Sequence, residues 1–264
     1  MSARHDQAMP AVVRGARGPA LVERPAPRPP PGWGRLRVKV AGVCRTDVAA
    51  ARGLLRVDDG RVLGHELVGR VDVVDDDVDG ALRGLRATVD PRLGEGRFLG
   101  LQDDGAFAGF VRVPVGALVA VPPALSARQA AFVEPVAAAL AVRVAGLTVG
   151  ARAGLTGGGL IAALTERVLA ADGVVIVRAG DAAAPDLGGA ATSLDAVEHT
   201  AACGLPSLSS LRRGARVVVK APRAAGARRP ARDHRARARA RRRRLGSFAD
   251  AVALLSSGAR ASTS

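Results

Sequence analysis

The chain has 264 residues, enough for two domains, and 48% of them are hydrophobic, which is ample for a core. Its net charge of +15 is concentrated between residues 223 and 244, where eleven Arg stand against one Asp; this excludes a uniformly basic fold. Two cysteines exclude a disulfide framework, and the lack of an apolar leader or a run of about eighteen apolar residues predicts a cytoplasmic protein without a membrane span.

The first part of the chain reads as short strands joined by turns. Residues 12–15 open a strand, and residues 25–31 follow as a Pro-rich connector, because Pro lacks a backbone N–H and fixes φ. Polar and apolar residues then alternate in three further segments, the period of half-buried strands. These segments are 35–40, 67–71 and 110–114. Gly and Asp clusters separate them as turns, so residues 1 to about 125 predict an all-β domain.

The pattern changes at Ser126, where Gln129 follows three residues later as in a capping box. An Ala-rich helix is predicted from there through residue 145. A strand at 151–156, a Gly-rich turn, a helix to residue 171 and an apolar strand at 174–177 come next, with a later strand at 215–220. Strand, glycine turn, helix and strand are the start of a nucleotide-binding α/β domain.

Cys44, His65 and Glu134 stand in separate short segments and supply a thiolate, an imidazole and a carboxylate. These are the ligand types of a catalytic zinc, which takes three protein ligands and leaves a fourth position open. Each residue alone has an ordinary interpretation: a lone Cys in a strand is usually a small core residue, and a lone His-Glu pair is usually a satisfied polar pair. The combination favours a metal site.

The neighbouring residues carry a resemblance to a known family. Cys44-Arg45-Thr46-Asp47, Gly64-His65-Glu66 and Glu134-Pro135-Val136-Ala137 occur in the order and at the spacing typical of the zinc-dependent medium-chain alcohol and polyol dehydrogenases. The resemblance implies a GroES-like β-barrel domain followed by a doubly wound Rossmann domain, here reduced. It also implies hydride transfer between an alcohol or polyol and NAD or NADP.

The resemblance assigns roles to individual residues. It makes Cys44 and His65 zinc ligands with Glu134 as the third, and Glu66 either an exchangeable ligand or a carboxylate behind the ligands. Asp47 would orient His65, as a carboxylate behind a metal-bound imidazole usually does. Thr46 would touch the substrate hydroxyl and pass its proton outward. Arg45 would reach the cofactor pyrophosphate, which a guanidinium fork suits.

A dinucleotide fingerprint follows the zinc-ligand segments. Gly157-x-Gly159-x-x-Ala162 fits G-x-G-x-x-G/A, in which the glycines allow a tight turn and close approach to pyrophosphate, and the small last residue lets the helix pack on the sheet. An ordinary glycine loop is the alternative. Arg178 favours NADP over NAD, unless it simply ends its strand.

Three departures from the family affect these expectations. Residues 91–100 replace the lobe that normally carries four cysteines, so no structural zinc is expected. The nucleotide-binding half is short, and the chain stops before the segments that normally complete the substrate pocket. We predict a catalytic domain at 1–145, a Rossmann-like domain at 146–222, a disordered Arg-rich segment at 223–244, and a remnant helix with a tail at 245–264.

Alternatives to the dehydrogenase function stay open. One is an inactive relative that keeps metal or nucleotide binding. Another is polyanion binding through residues 223–244, which are otherwise a solvated loop or the product of a local reading-frame error. The expected partners are a small alcohol or carbonyl substrate, without nucleic acid or membrane, and the oligomeric state is left open with a homo-oligomer in view.

Overall fold

The computed structural model describes residues 7–75, 78–156, 158–178, 192–195, 216–219, 239–242 and 245–258. The chain divides into two compact units, residues 1–134 with 248–264, and residues 135–247. The predicted boundary at residue 145 therefore falls inside the second unit. The chain returns to the first unit at Phe248, and the predicted domain boundaries remain predictions.

The first unit is built on antiparallel strands, as predicted. Its main sheet has the order β8-β3-β4-β5-β9, and β1–β2 and β6–β7 are separate pairs. The strands are β1 Ala8–Gly15, β2 Gly18–Pro25, β3 Trp33–Gly42, β4 Glu66–Val74, β5 Arg86–Val89, β6 Arg92–Gly94, β7 Arg97–Phe98, β8 Phe110–Pro114 and β9 Leu118–Ala120. The predicted strands at 35–40 and 67–71 lie within β3 and β4, and β8 coincides with 110–114.

One face of the main sheet forms the core of the first unit. Alternate residues of β3, β4, β5 and β8 point to the same side, so their apolar side chains meet there. Leu36, Leu67, Val89 and Val113 are each fully or almost fully buried. This alternation is the reason that periodicity alone identified the strands.

The helices are short and shaped by their end residues. They are α1 Arg45–Ala51, α2 Ala127–Ala131, α3 Val133–Leu140, α4 Leu160–Ala171 and α5 Phe248–Ser256, with 3₁₀ turns at 80–82, 115–117 and 141–145. The capping box is confirmed, since Ser126 Oγ accepts from Gln129 N–H at 3.2 Å and Gln129 Oε1 accepts from Ser126 N–H at 2.9 Å.

The prediction of one helix through residue 145 was wrong. The first helix ends at Phe132, and residues 141–145 form a 3₁₀ turn that ends at Gly146 with φ of 57°. Pro135 supplies the physical reason, because proline has no N–H to donate to Ala131 and is tolerated only in the first turn of a helix. A new helix that begins at Val133 places Pro135 in that first turn.

The second unit holds a parallel sheet with the order β11-β10-β12-β13-β14. Its strands are β10 Arg152–Thr156, β11 Val175–Arg178, β12 Thr192–Asp195, β13 Arg216–Val219 and β14 Arg239–Arg242. The unit β10-α4-β11 is the predicted strand, turn, helix and strand. β11 and β12 flank β10 on opposite sides, which creates the switch point of a doubly wound sheet.

The Arg-rich segment departs from its predicted disorder at one place. Residues 239–242 form β14, which pairs in parallel with β13 at the sheet edge. Strand pairing uses backbone N–H and C=O groups, so an unfavourable side-chain composition does not prevent it. The rest of 223–244 lies outside the described residues. None of the helices in the described ranges is long and apolar enough to cross a membrane.

Candidate functional site

Asp47 joins the segments that carry the predicted zinc ligands. It lies in the first turn of α1 and is 2% exposed. Its Oδ2 accepts from Cys44 N–H at 2.9 Å, and its Oδ1 accepts from Gly64 N–H at 3.1 Å. The same Oδ1 lies 3.2 Å from His65 Nδ1. One buried carboxylate thus fixes the backbone before one ligand and the ring of the next.

Cys44, His65 and Glu66 bring their ligand atoms together. The sulfur, an imidazole nitrogen and a carboxylate oxygen all lie within 4.8 Å of one another. Ligand atoms held about 2.0–2.3 Å from a tetrahedral zinc stand roughly 3.3–3.8 Å apart, so a small adjustment closes the group around the ion. Because Asp47 faces Nδ1 of His65, Nε2 is the nitrogen whose lone pair is available to a metal.

Gly42 makes room for the Glu66 carboxylate. The two residues are directly opposed in the β3–β4 pairing. A Cβ at position 42 would lie 3.1 Å from Glu66 Cβ and would collide with Oε2. Only glycine leaves the carboxylate in its present place. Sequence reasoning missed this residue, although its register opposite Glu66 could have been found once β3 and β4 were paired.

Glu134 is also buried close to His65, but it is not one of the three grouped ligands. It lies in the first turn of α3 and is 5% exposed. Its negative charge acts on the His65 ring and raises the pKa of that group. The structure therefore brings two predicted carboxylates near the imidazole and places Glu66 in the compact group with Cys44.

The pKa values of His65 and Cys44 reflect their burial and the carboxylates around them. Burial lowers the pKa of His65, but hydrogen bonds to Asp47 and Cys44 and the charges of Asp47 and Glu134 raise it well above its usual value. Burial raises the pKa of Cys44, against the lowering effect of the hydrogen bond to His65. Buried carboxylates require a partner or a metal. A soft thiolate beside an imidazole and a carboxylate fits zinc well.

Residues 97–107 support the His65 segment from outside the ligand group. The Phe98 ring packs edge-on against His65, with ring centroids 5.4 Å apart. Gly105 N–H donates to Val62 O at 2.8 Å, and Ala106 N–H donates to Gly64 O at 2.9 Å. The sequence identified this region only by its lack of cysteines. It gave no signal that Phe98 would contact the histidine.

Thr46 and Arg45 follow Cys44 at the start of α1. Thr46 is half-buried, and its backbone N–H is hydrogen-bonded to the Cys44 sulfur, which lowers the pKa of the thiol. Arg45 is exposed. Thr46 is thus adjacent to the ligand group, while the roles assigned to the two side chains remain predictions.

The second unit contains part of the predicted dinucleotide fingerprint. Gly159 caps α4 with φ of 90° and ψ of −173°, and Ala162 is completely buried. The N-terminal turn of α4 carries no acidic residue, so its N–H groups suit an anion. Gly157 lies outside the described residues. The backbone of Arg178 ends β11, but its side chain also lies outside the description.

Comparison with known proteins identifies the first unit. The family of alcohol dehydrogenase GroES-like domains matches residues 30–123. The starvation-sensing protein RspB of Escherichia coli K12 is 33% identical over 133 residues, covering 44% of this chain and 39% of RspB. An NAD-dependent alcohol dehydrogenase of Sulfurisphaera tokodaii is 34% identical over 119 residues, covering 36% of this chain and 34% of the relative. The aligned part thus spans less than half of either relative.

A solved structure extends the similarity to the whole fold. The cobalt- and zinc-bound thermostable alcohol dehydrogenase of Pyrobaculum aerophilum superposes with a TM-score of 0.77 at 22% identity, covering 96% of this chain and 89% of the other. At this identity the likeness establishes the fold. It agrees with the predicted fold class, a GroES-like unit followed by a doubly wound α/β unit.

Proposed function

We propose that this chain is a member of the medium-chain alcohol and polyol dehydrogenase family and that it transfers a hydride between an alcohol or polyol and NAD(P). The observation that carries the proposal is the group formed by Cys44, His65 and Glu66, whose ligand atoms lie within 4.8 Å of one another. A zinc ion held there would act as a Lewis acid and lower the pKa of the substrate hydroxyl.

The surrounding residues orient the ligands and move the proton. Asp47 accepts from His65 Nδ1–H and so directs Nε2 to the metal. Thr46, next to Cys44, would accept the proton of the substrate hydroxyl at its side-chain oxygen while it passes its own hydroxyl proton outward to solvent. The burial of His65 and Glu66 keeps bulk water away from these groups, which strengthens their electrostatic effect.

We assign the third ligand position to Glu66 and keep Glu134 as the alternative. The position of Glu66 within the compact group supports this choice, whereas Glu134 acts on His65 through its charge. An exchange between the two carboxylates would preserve the charge of the site. We propose one catalytic zinc and no structural zinc, since residues 91–100 contain no cysteine.

The cofactor half of the proposal rests on α4 and its turn. Gly159 and Ala162, with Gly157, would hold the pyrophosphate at the N-terminus of α4. Arg45 would contribute a guanidinium to the phosphates, and Arg178 would favour NADP. Four further expectations remain predictions: a cytoplasmic location, a small-molecule substrate, no nucleic-acid partner and a possible homo-oligomer.

Metal content of the purified protein tests the proposal. We expect about one zinc per chain in the wild type by elemental analysis, lost in Cys44→Ser. Cys203→Ser removes the only other cysteine and is the matched control, which should keep its zinc. Wild-type protein without zinc, or loss of zinc in both variants, would refute the proposed site.

Activity assays separate the enzyme from an inactive relative. Zinc-loaded protein is assayed with simple alcohols and polyols and either NAD or NADP, and production of the reduced cofactor is followed by absorbance. Turnover that Cys44→Ser abolishes and Cys203→Ser preserves is the expected result. Stoichiometric zinc without turnover on any substrate would favour a metal-binding relative that no longer catalyses the reaction.

A further inference from the structure

Three arginines lie in direct cross-strand register on the first unit. Arg37 of β3 pairs with Arg70 of β4, and Arg70 pairs with Arg86 of β5. Residues paired in this way project from the same face of a sheet, about 4.5–5.5 Å apart at Cβ. Three positive charges therefore form a row across adjacent strands. In β4, Arg70 lies four residues after Glu66, roughly 13 Å along the strand. We call Arg37, Arg70 and Arg86 the arginine row.

Among the residues that the structure describes, no carboxylate forms an ion pair with the arginine row. Within residues 7–75 and 78–156, none of its members makes an ion pair. Arg70 donates to Gly84 O at 2.8 Å, and Arg86 donates to Pro122 O at 2.9 Å. The guanidinium of Arg37 stacks on Phe110, 4.7 Å from its ring centroid. A guanidinium has five N–H donors, so each keeps several for another acceptor.

This arrangement costs stability unless something offsets it. Like charges directly opposite on neighbouring strands destabilise a sheet. On this face the charge of Arg35 is neutralised. Arg35 is 1% exposed and donates to Asp72 at 2.6 Å through Nη2. The arginine row has no such partner within the described part of the chain, and Arg37 and Arg70 are exposed to solvent. An anion from solution would supply the missing negative charge.

A cavity beside the arginine row provides space for a bound anion. It has a volume of about 560 Å³, and Arg70 and Arg86 are among its lining residues. This volume is within the range of small-ligand sites. The remaining wall is largely apolar and includes Leu85, Val121 and Leu125. The site thus offers guanidinium groups at one side and an apolar surface at the other.

We propose that the arginine row and this cavity bind a small organic polyphosphate, at a site separate from the metal group. Two strand spacings make the row roughly 10 Å long, which suits a chain of linked phosphates rather than a single one. Guanidinium groups bind phosphate oxygens in bidentate fashion. Nucleic acid is disfavoured because single-strand binding uses exposed aromatic side chains, and Phe110 is buried beneath Arg35 and Arg37.

Calorimetric titration of the full chain with inorganic tripolyphosphate, near physiological salt, tests the proposal. We expect Arg70→Gln to weaken binding about tenfold or more, since a charge-assisted hydrogen bond is removed. Arg86→Gln is a second variant with the same expected direction. Arg17→Gln removes an exposed Arg from the β1–β2 turn and is the matched control, with an expected change below about twofold.

Two further readouts make the test decisive. Without ligand, Arg70→Gln should unfold in urea at the same or a higher midpoint than wild type, because a like-charge contact is relieved. Titration in the Cys44→Ser background distinguishes binding at the arginine row from extraction of metal. Equal weakening by Arg70→Gln and Arg17→Gln would overturn the proposal, since only net charge would then matter. Tighter, Arg70-dependent binding of a single-stranded oligonucleotide would overturn it in favour of nucleic acid.

Discussion

Asp47 and His65 form a buried pair in which carboxylate Oδ1 lies 3.2 Å from imidazole Nδ1. The same carboxylate also accepts from the backbone N–H of Cys44 and of Gly64. These three contacts connect the start of α1 to the segment before β4. The orientation of the histidine and the position of the cysteine therefore depend on one side chain.

Asp47→Asn is expected to lower zinc affinity about 10–100-fold. The amide cannot accept from all three donors with the strength of a carboxylate, and it no longer fixes the tautomer of His65. Competition with a zinc chelator measures the effect. Asp58→Asn is the control, because the Asp58 side chain is exposed and lies 3.7 Å from the Arg61 guanidinium. Unchanged affinity in Asp47→Asn would show that Asp47 does not orient the ligand.

Zinc binding should release protons and strengthen as pH rises. Burial raises the pKa of Cys44, and contacts with Asp47 and Cys44 outweigh burial to raise the pKa of His65. Both ligands must lose a proton to bind the metal. The apparent zinc affinity should increase with pH until both groups are deprotonated, and titrations in buffers of different ionisation enthalpy should detect the released protons. An affinity that is flat across neutral and alkaline pH would contradict this.

The stability of the zinc-free protein should also depend on pH, because the same groups titrate. A group whose pKa is raised on folding contributes stability that is complete below its unfolded pKa and lost as pH rises through the folded value. For His65 the loss should therefore begin above about pH 6.5. Urea unfolding of chelator-treated protein measures it, and His65→Gln should weaken the pH dependence in this range. Stability that rises above this pH in the wild type would be the contrary result.

Gly42→Ala should weaken zinc binding by displacing the Glu66 carboxylate. The new Cβ would overlap Oε2 of Glu66, and overpacking of this kind costs about 1–3 kcal/mol. Gly34→Ala in the same strand is the control, since its Cβ would meet its nearest atoms at 3.6 Å, an ordinary contact. Zinc stoichiometry and urea unfolding are measured for both. Equal zinc affinity in the two variants would argue for Glu134, rather than Glu66, as the third ligand.

Gly159→Ala should weaken binding of NAD(P) and destabilise the second unit by about 1–3 kcal/mol. Its backbone at φ of 90° is accessible to glycine and strained for alanine. Gly158→Ala is the neighbouring control, because a Cβ there meets nothing within 4 Å and φ is not in the left-handed region. Titration with the reduced cofactor, followed by its fluorescence, measures the cofactor affinity of each variant. Similar affinities for both variants would show that the turn does not approach the cofactor.

Local patterns predicted the strands at 35–40, 67–71 and 110–114 because alternation reflects burial on one face of a sheet. They did not predict β2, β5, β6, β7 and β9. The unit β10-α4-β11 could also be predicted from the sequence, since its glycine turn separates two apolar segments. The break at Phe132 was missed because the Ala-rich composition favours a helix throughout. Only the position of Pro135 relative to the helix start opposes that preference.

The candidate site was predictable in its residue types but not in its geometry. Cys44, His65, Glu66 and Glu134 could be selected from their motifs, whereas the grouping of Glu66 rather than Glu134 with Cys44 depends on strand register. The arginine row escaped prediction for the same reason. Its members are far apart in sequence, and only the pairing of three strands brings them together.

The backbone pairing of residues 97–107 with the His65 segment has a consequence for protein engineering. A chimera that grafts the cysteine-rich lobe of a relative onto this chain would replace residues in the region that holds His65. Phe98 and the donors at Gly105 and Ala106 should therefore stay in any graft, with the exchange limited to residues before Arg97. The position of the junction in such a hybrid should therefore be chosen to keep the residues that contact His65, not to match the ends of the lobe.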